Sequence, residues 1–208
     1  MLFRSSELSP TVCAMFKKLS TTMRGGLKFV LGHPRLFKPI LEAVMPMVSN
    51  SATAMLKTTV AFTMAKGSDG TNVMPQEAWV IGDMRYSHHQ GREKSIEAIT
   101  RLAKKYDIET VVLSKGIDSR LSSYKSEAFA LVENAVANIF PDVKTTPYVM
   151  TGASDCRYMG IISENCLRFT PFVIDDEQLE NIHGIDENVD LSALAPAVDF
   201  YRYIITEA

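Results

Sequence analysis

The chain of 208 residues is 46% hydrophobic and has a formal net charge of −2. This length suits one large domain or two small ones, and the apolar content is typical of a globular protein rather than a disordered one. The small net charge predicts neither a nucleic-acid-binding protein nor a protein that binds an anionic membrane. No apolar run has the length needed to cross a bilayer.

The cysteines and the N-terminal segment indicate the cellular compartment of the protein. Cys13, Cys156 and Cys166 are odd in number and do not have the spacing of a metal site. The N-terminus lacks the unbroken apolar segment of a secretory signal. Reduced thiols without a signal predict a cytoplasmic protein.

The first part of the chain has two helical patterns. Ser9 is a candidate N-cap for a helix over residues 11–23. Gly25-Gly26 is expected to break that helix. A second helix is predicted over residues 34–45 and is expected to end at Pro46.

A β-hairpin is predicted next. Residues 58–64 and 77–84 are rich in β-branched and aromatic side chains, and the connection between them is polar and contains glycine. Asn72 lies in the connection, and Arg85 lies where the second strand ends. An amide and a guanidinium can grip one carboxylate between them, at roughly 1.5–3 kcal/mol per charge-assisted hydrogen bond. An ordinary turn asparagine and a solvated arginine are the alternative.

The hairpin is followed by an amphipathic pattern over residues 91–106, which predicts a helix, and by a short strand over residues 108–113. Strand, strand, helix, strand is most of a ferredoxin-like fold that lacks one strand and one helix at its start. An incomplete sheet exposes an edge, which indicates association with a partner chain.

The last part of the chain alternates helices and strands, which is typical of an α/β fold. It begins after a polar junction at residues 114–123. Helices are predicted over residues 124–139, 156–159 and 191–205, and strands over residues 147–150 and 167–172.

His183 is the histidine with the most suggestive surroundings. It lies in a loop, directly before Gly184 and close to Asp186-Glu187. Imidazole is a common metal ligand, and a nearby carboxylate can orient its second nitrogen. Zinc takes three or four protein ligands, however, so an ordinary loop histidine is the alternative.

Four short motifs occur in a characteristic order. They are Asn-Val-Met-Pro from Asn72, Asp-Met-Arg ending at Arg85, Gly-Ala-Ser-Asp-Cys-Arg over residues 152–157, and His-Gly-Ile-Asp-Glu from His183. Together they resemble the co-catalytic zinc metallopeptidases, which include aminoacylase, carboxypeptidase S, glutamate carboxypeptidase and succinyl-diaminopimelate desuccinylase.

The resemblance implies an α/β protein in which an incomplete ferredoxin-like α+β lid domain precedes the C-terminal part of an α/β zinc-peptidase catalytic domain. Residues 1–52 would be a helical segment of the lid insertion. Residues 53–118 would form the lid, or dimerisation domain, and residues 119–208 the catalytic part.

The resemblance also implies roles for single residues. Asn72, Arg85, Gly152 and Arg157 would bind the substrate, with Arg85 serving the other subunit of a dimer, and His183 would bind one of the two zinc ions of the family site. No residue is assigned a catalytic role, because the His-x-Asp motif and the Glu-Glu pair of the family's N-terminal half are absent from this sequence.

The function implied is part of a zinc-dependent hydrolase that cleaves a peptide or an N-acyl amide beside a free carboxylate, with little activity by itself. The expected partners are such a substrate and either a second copy through the lid or a missing N-terminal half; neither nucleic acid nor a membrane is expected. Two alternatives are a non-catalytic dimerisation or carboxylate-binding module and an unrelated ferredoxin-like ligand-binding protein.

Overall fold

The computed structural model describes residues 6–48, 50–117 and 119–208. Their contacts divide the chain into two compact units, one extending to Gly116 and including Tyr148–Thr151, the other comprising Ile117–Pro147 and Gly152–Ala208. No helix among the described residues is long and apolar enough to span a membrane. The elements are α1 (Pro10–Ser20), α2 (Gly25–Gly32), α3 (Lys38–Val48), α4 (Asn50–Leu56), β1 (Thr59–Lys66), β2 (Trp79–Arg85), α5 (Gly91–Lys104), α6 (Glu127–Ile139), α7 (Cys156–Met159), α8 (Asp176–Glu180), a 3₁₀ turn (Leu191–Ala193) and α9 (Leu194–Glu207).

The first unit has its core among α1 to α4. Ser9 caps α1 as predicted, because its hydroxyl accepts a hydrogen bond from the Val12 N–H at 3.2 Å. Apolar side chains of all four helices and of the segment before α1 meet in one cluster, which excludes water from their inner faces. Its buried members are Leu8, Val12, Met15, Phe16, Leu31, Leu41 and Leu56.

The glycine pair Gly25-Gly26 forms the start of a second helix. α1 ends at Ser20, and Gly25 begins α2, a helix that the sequence analysis did not predict. Gly25 has φ of +65°, which a residue without a Cβ adopts at little cost. The chain can therefore turn sharply into α2.

Pro46 lies inside α3, so the prediction that it ends the helix was wrong. A proline has no N–H to donate to the carbonyl four residues earlier, that of Glu42. The Ser6 hydroxyl donates to this carbonyl instead, at 3.3 Å. The Pro46 carbonyl in turn accepts from the Thr53 hydroxyl of α4 at 3.0 Å. These side-chain bonds let α3 continue and connect it to α4, which was not predicted.

The hairpin forms as predicted. β1 and β2 pair antiparallel, with Thr59 opposite Arg85 at one end and Lys66 opposite Trp79 at the other. A bulge between Phe62 and Met64 shifts the register by one residue and so reverses the faces of the later side chains. Most of both strands is exposed.

The three further strands were predicted wrongly, since residues 108–113, 147–150 and 167–172 are irregular. A strand is stable only with a hydrogen-bonded neighbour, and the sheet of the described residues contains β1 and β2 alone. The ferredoxin-like lid is therefore not confirmed. The chain is a mixed protein with many helices and one small antiparallel sheet.

A buried hydroxyl network joins the sheet to α5. The Thr58 hydroxyl oxygen accepts from the Ser87 N–H at 3.0 Å and lies 3.1 Å from Ser87 Oγ and 3.2 Å from Ser95 Oγ. Ser95 also donates to the Gly91 carbonyl. All three hydroxyl side chains are buried. Since water cannot replace these bonds, the network fixes the start of β1, the segment after β2 and the first turn of α5 against one another.

The second unit is built on α6 and α9. Ala135 and Val136 of α6 are buried with Phe200 of α9, and the Phe200 ring lies 5.0 Å from that of Phe169. Ser126 caps α6 by accepting from the Phe129 N–H. Aromatic and aliphatic side chains thus close a second core, and both segments are helical as predicted.

Replacing Thr58 by Val should destabilise the first unit by roughly 1–3 kcal/mol, because it leaves the N–H and the hydroxyl of Ser87 buried without their partner. Thr58→Ser should recover most of this loss. Urea titration of the Thr58→Val and Thr58→Ser variants gives the free energy of unfolding that checks both expectations. Thr63→Val, on the exposed part of β1, is the matched control and should change stability by less than about 0.5 kcal/mol. Equal stability of all three variants would contradict the role given to the network.

Candidate functional site

Arg85 is the last residue of β2 and is about half exposed. Its Nε lies 3.0 Å from the Oδ2 atom of Asp83, two residues earlier on the same face of the strand. Both partners are solvated, and such an ion pair contributes only about 0–1 kcal/mol. An incoming carboxylate can therefore compete with Asp83 for the guanidinium.

The backbone beside Arg85 is held by the hydroxyl network. Ser87, two residues later, donates its N–H to Thr58, while Thr59 pairs with Arg85 across the sheet. The side chain of Arg85 is solvated, but it extends from a backbone whose position is fixed. This is the arrangement expected of a residue that presents a charge to a ligand.

Asn72 lies at the other end of the hairpin. It belongs to the exposed connection that follows Lys66 and precedes Trp79, whereas Arg85 is paired with Thr59 at the opposite end. From Trp79 to Arg85 the strand rises about 20 Å at ~3.3 Å per residue. Among the described residues no hydrogen bond joins the two side chains. The hairpin therefore does not build a grip in which both hold one carboxylate within a single chain.

In the second unit, the segment that begins at Gly152 is held through Ser154. The Ser154 hydroxyl accepts from Nε of Arg168 at 3.1 Å. The same guanidinium donates to the Cys166 carbonyl at 3.4 Å and to the Ser119 hydroxyl. Gly152 itself is exposed.

Arg157 lies in α7, three residues after Ser154. Its guanidinium carbon is 4.8 Å from the centre of the Tyr158 ring, a cation–π contact, and its Nη2 donates to the Tyr158 hydroxyl at 3.0 Å. The buried Nε–H has no acceptor among the described residues. Buried donors are usually satisfied, so this unused donor indicates a place where a ligand oxygen can bind.

Arg168 is a further candidate that was not predicted from the sequence. A signal was present, since an arginine between Leu167 and Phe169 interrupts an apolar segment. Arg157 and Arg168 both contact the segment 152–158, and every acceptor that the structure gives them is a neutral oxygen. Two guanidinium groups thus contact one segment, and neither is paired with a carboxylate of the described residues, so each remains suited to bind an anion.

His183 lies in a tight turn with an unusual backbone. Its φ is +64°, and that of Asp186 is +65°, a region that residues with a Cβ rarely adopt. The His183 N–H donates to the Glu187 carboxylate at 3.1 Å, and the Gly184 N–H donates to the Asn181 carbonyl at 2.8 Å. The turn therefore holds a strained conformation through its own hydrogen bonds, as functional loops often do.

Side-chain amides connect this turn to α8. Gln178 is buried and completes a capping box with Asp175. Its Nε2 donates to Oδ1 of Asn188 at 3.1 Å, and Nδ2 of Asn188 donates to the Asp186 carbonyl at 2.7 Å. No helix was predicted between residues 172 and 191, whereas Asp176–Glu180 is helical and anchors the turn that carries His183.

The described residues do not form a complete metal site. Among them no three His, Cys, Asp or Glu side chains are grouped so that they could hold an ion. Zinc takes three or four protein ligands, so His183 and its neighbours do not by themselves fit the two-zinc centre that the resemblance implies.

The predicted residues are divided between the two units. Asn72 and Arg85 belong to the first unit, and Gly152, Arg157 and His183 to the second. Within the second unit, the structure adds Arg168 to the segment that contains Gly152 and Arg157.

Comparison with known proteins gives one family. The family described as Peptidase family M20/M25/M40 matches residues 12–207. A probable carboxypeptidase S-like protein 2 of Dictyostelium discoideum is 28% identical over 86% of this chain and 34% of its own length. The human N-fatty-acyl-amino acid synthase/hydrolase is 26% identical over 96% of this chain and 40% of its own length. Carboxypeptidase S of Saccharomyces cerevisiae is 22% identical over 86% of this chain and 37% of its own length.

The chain spans about a third to two fifths of the length of these relatives. The matches therefore relate this chain to one part of each relative.

Gln178→Ala should loosen the turn that carries His183, because it removes the side chain of the capping box and the bond to Asn188. The expected loss is about 1–2 kcal/mol in the free energy of unfolding, together with faster proteolytic cleavage in residues 181–190. Glu177→Ala, an exposed position of the same helix, is the control and should leave the cleavage rate unchanged. If the Gln178→Ala variant is cleaved at the same rate as the Glu177→Ala variant, the amide connection does not hold the turn.

Proposed function

The chain belongs to Peptidase family M20/M25/M40, and we propose that it contributes carboxylate recognition and one metal ligand to a hydrolase of peptide or N-acyl amide bonds. The observation that carries this proposal is that the segment 152–158 contains Arg157 and is bound by Arg168 through Ser154. Neither guanidinium is bound to a carboxylate of the described residues, and one buried N–H of Arg157 has no acceptor. A substrate carboxylate supplies both the charge and the acceptor that this segment lacks.

The relatives support the substrate class. Their names are those of carboxypeptidases and of an N-fatty-acyl-amino acid synthase/hydrolase. An N-acyl amino acid and the end of a peptide share an amide bond next to a free carboxylate. The proposed substrate of this chain is a compound with these two groups.

Arg85 has a separate role in this proposal. Because Asn72 and Arg85 lie at opposite ends of the hairpin, they serve different substrate molecules rather than one. In a homodimer formed through the lid, Arg85 would reach the site of the other subunit. The outer edges of β1 and β2, unpaired among the described residues, support such an association.

His183 is the proposed ligand of one of two zinc ions. Its strained turn supports a functional role, but the other ligands and the general base of the family site have no counterpart in this sequence. We therefore propose that the chain by itself hydrolyses amides little or not at all.

A non-catalytic carboxylate-binding or dimerisation module is the second candidate. The observation that favours it is that no cluster of three metal ligands exists among the described residues. Both candidates require carboxylate binding, and they differ in whether zinc is bound and hydrolysis occurs once the rest of a family site is present.

Arg157→Ala should weaken the binding of an N-acyl amino acid to the purified chain by about 10- to 150-fold, the equivalent of the ~1.5–3 kcal/mol of a hydrogen bond to a charged group. Isothermal titration calorimetry measures the dissociation constant of the N-acyl amino acid for each variant. Arg157→Lys, which keeps the charge and loses the planar fork, should have an intermediate effect. The control is Arg202→Ala in α9, an exposed arginine 3.6 Å from Asp199.

The methyl ester of the same ligand tests the carboxylate directly. It should bind the unaltered chain as weakly as the acid binds Arg157→Ala. Ester and acid binding with equal affinity would refute carboxylate recognition for both candidate functions.

Metal analysis after dialysis against zinc should find no tightly bound pair of ions per chain, because His183 has too few companion ligands. Two tightly held zinc ions, lost in His183→Ala but kept in His33→Ala, would mean that the chain carries a complete site and would overturn the proposed lack of activity. His33 is a suitable control because its ring Nδ1 lies 2.9 Å from the Phe29 carbonyl, far along the chain from His183.

A further inference from the structure

The outward side of α3 is entirely apolar. Leu41 is buried on its inner side, and Met45 packs on the core. The positions that face solvent recur as neighbouring pairs every four residues, as one side of a helix does. They are Pro39, Ile40, Ala43, Val44, Met47 and Val48.

This surface is unusual because a helix of a soluble protein places charged or polar residues toward water. Met47 is 85% exposed and Val48 68%. A contiguous exposed apolar surface marks a place where the protein contacts something else.

Exposed apolar side chains are also present in the preceding turn and in α2. Leu36 in the turn is 70% exposed, and Leu27 and Phe29 of α2 are more than half exposed. The Phe29 ring lies 5.7 Å from that of Phe37, edge to face, so α2 is packed against the turn that leads into α3. We call the exposed apolar residues of α2, this turn and α3 the apolar stripe.

The charge of the chain is segregated. Residues 1–57 contain eight Lys or Arg and two acidic residues, whereas residues 58–208 contain 14 and 22, so the net charge of −2 divides into +6 and −8. The expectation that the chain avoids anionic membranes was based on the sum, which conceals a basic N-terminal segment.

The cations lie in the same elements as the apolar stripe. Lys28 is in α2, Arg35 in the turn and Lys38 in α3. Arg35 and Lys38 are close enough to Cys13 to oppose the effect of burial, which raises the pKa of its thiol. Lys38 is paired with Glu42 on the inward side of α3, so Lys28 and Arg35 are the exposed cations of these elements that remain for an anionic surface.

The acidic residue in this region is directed inward. The Glu42 carboxylate accepts from the Leu8 N–H at 2.8 Å and lies 3.6 Å from Nζ of Lys38, and its side chain is 17% exposed. It therefore contributes little negative charge to the solvent side of α3.

We propose that α2, the following turn and α3 bind an anionic lipid surface, with the apolar stripe inserted among the acyl chains and Lys28 and Arg35 at the phosphate headgroups. An exposed apolar side flanked by lysine and arginine is the pattern of a helix that lies in a membrane interface. A second copy packed symmetrically on this surface would bring the same cations together, which disfavours a dimer there. This binding is independent of the proposed hydrolase activity.

Co-sedimentation of the purified chain with lipid vesicles tests the proposal. The chain should bind vesicles that contain phosphatidylserine, bind phosphatidylcholine vesicles weakly, and be released by salt. Lys28→Gln with Arg35→Gln should weaken binding about 25-fold, since each cation at an anionic surface contributes about fivefold. Lys104→Gln with Lys105→Gln, two exposed cations at the end of α5, should change nothing.

The apolar stripe is tested by Val44→Asp with Met47→Asp, which should abolish vesicle binding while circular dichroism stays unchanged, since both positions are exposed. Val111→Asp with Leu113→Asp, exposed residues outside α1 to α4, is the control. Absence of binding, or equal binding to neutral and anionic vesicles, would overturn the proposal. So would a concentration-dependent dimer in gel filtration that Met47→Asp dissociates, because a second copy would then cover the surface.

Discussion

The buried hydroxyl of Thr58 is the contact on which the order of the first unit depends. It accepts the Ser87 N–H and lies within hydrogen-bond distance of the hydroxyls of Ser87 and Ser95. A two-stranded hairpin is marginally stable alone, and most of this one is solvated, so its attachment to α5 has to come from its base. The network provides that attachment beside Arg85. The residue proposed to recognise a carboxylate thus gains its position from neutral polar groups that do not compete for its charge.

The second unit follows the same physical logic with amides and guanidinium groups. Gln178 and Asn188 hold the turn of His183, and Arg168 holds Ser154. In each case a side chain fixes backbone that has no sheet to support it. Irregular backbone remains ordered only when its polar groups have partners, and here side chains provide many of them. The stability of such a segment is sensitive to substitution, because one lost partner leaves a buried donor or acceptor unsatisfied.

Much apolar surface of the chain is solvated, and it is not distributed at random. The hairpin exposes Phe62 and Met64, and α3 exposes a whole side. The hairpin edge suits a backbone partner, because unpaired strand groups can extend a sheet. The stripe on α3 lies on a helix rather than on an open strand edge, and the exposed cations Lys28 and Arg35 lie in the elements that precede it, which suits a fluid, anionic surface. The two surfaces therefore require different partners.

The sequence by itself determined the elements whose causes are local. Ser9 caps α1, and segments rich in β-branched and aromatic residues form the hairpin, because these effects act over a few neighbouring residues. The motifs around Arg85 and His183 likewise identified the family. Only the tertiary structure decided that Pro46 stays inside a helix, because its missing hydrogen bond is replaced by Ser6, a residue distant in sequence.

Tertiary structure also decided what the predicted strands and site residues could do. Residues 108–113 have the composition of a strand but pair with no other strand among the described residues. Asn72 and Arg85 are 13 positions apart in the sequence but lie at opposite ends of a hairpin, while Arg168 contacts Ser154 from 14 positions away. Composition and spacing specify local conformation and chemical type. Which groups meet depends on pairings between distant segments, and those are formed only when the chain folds.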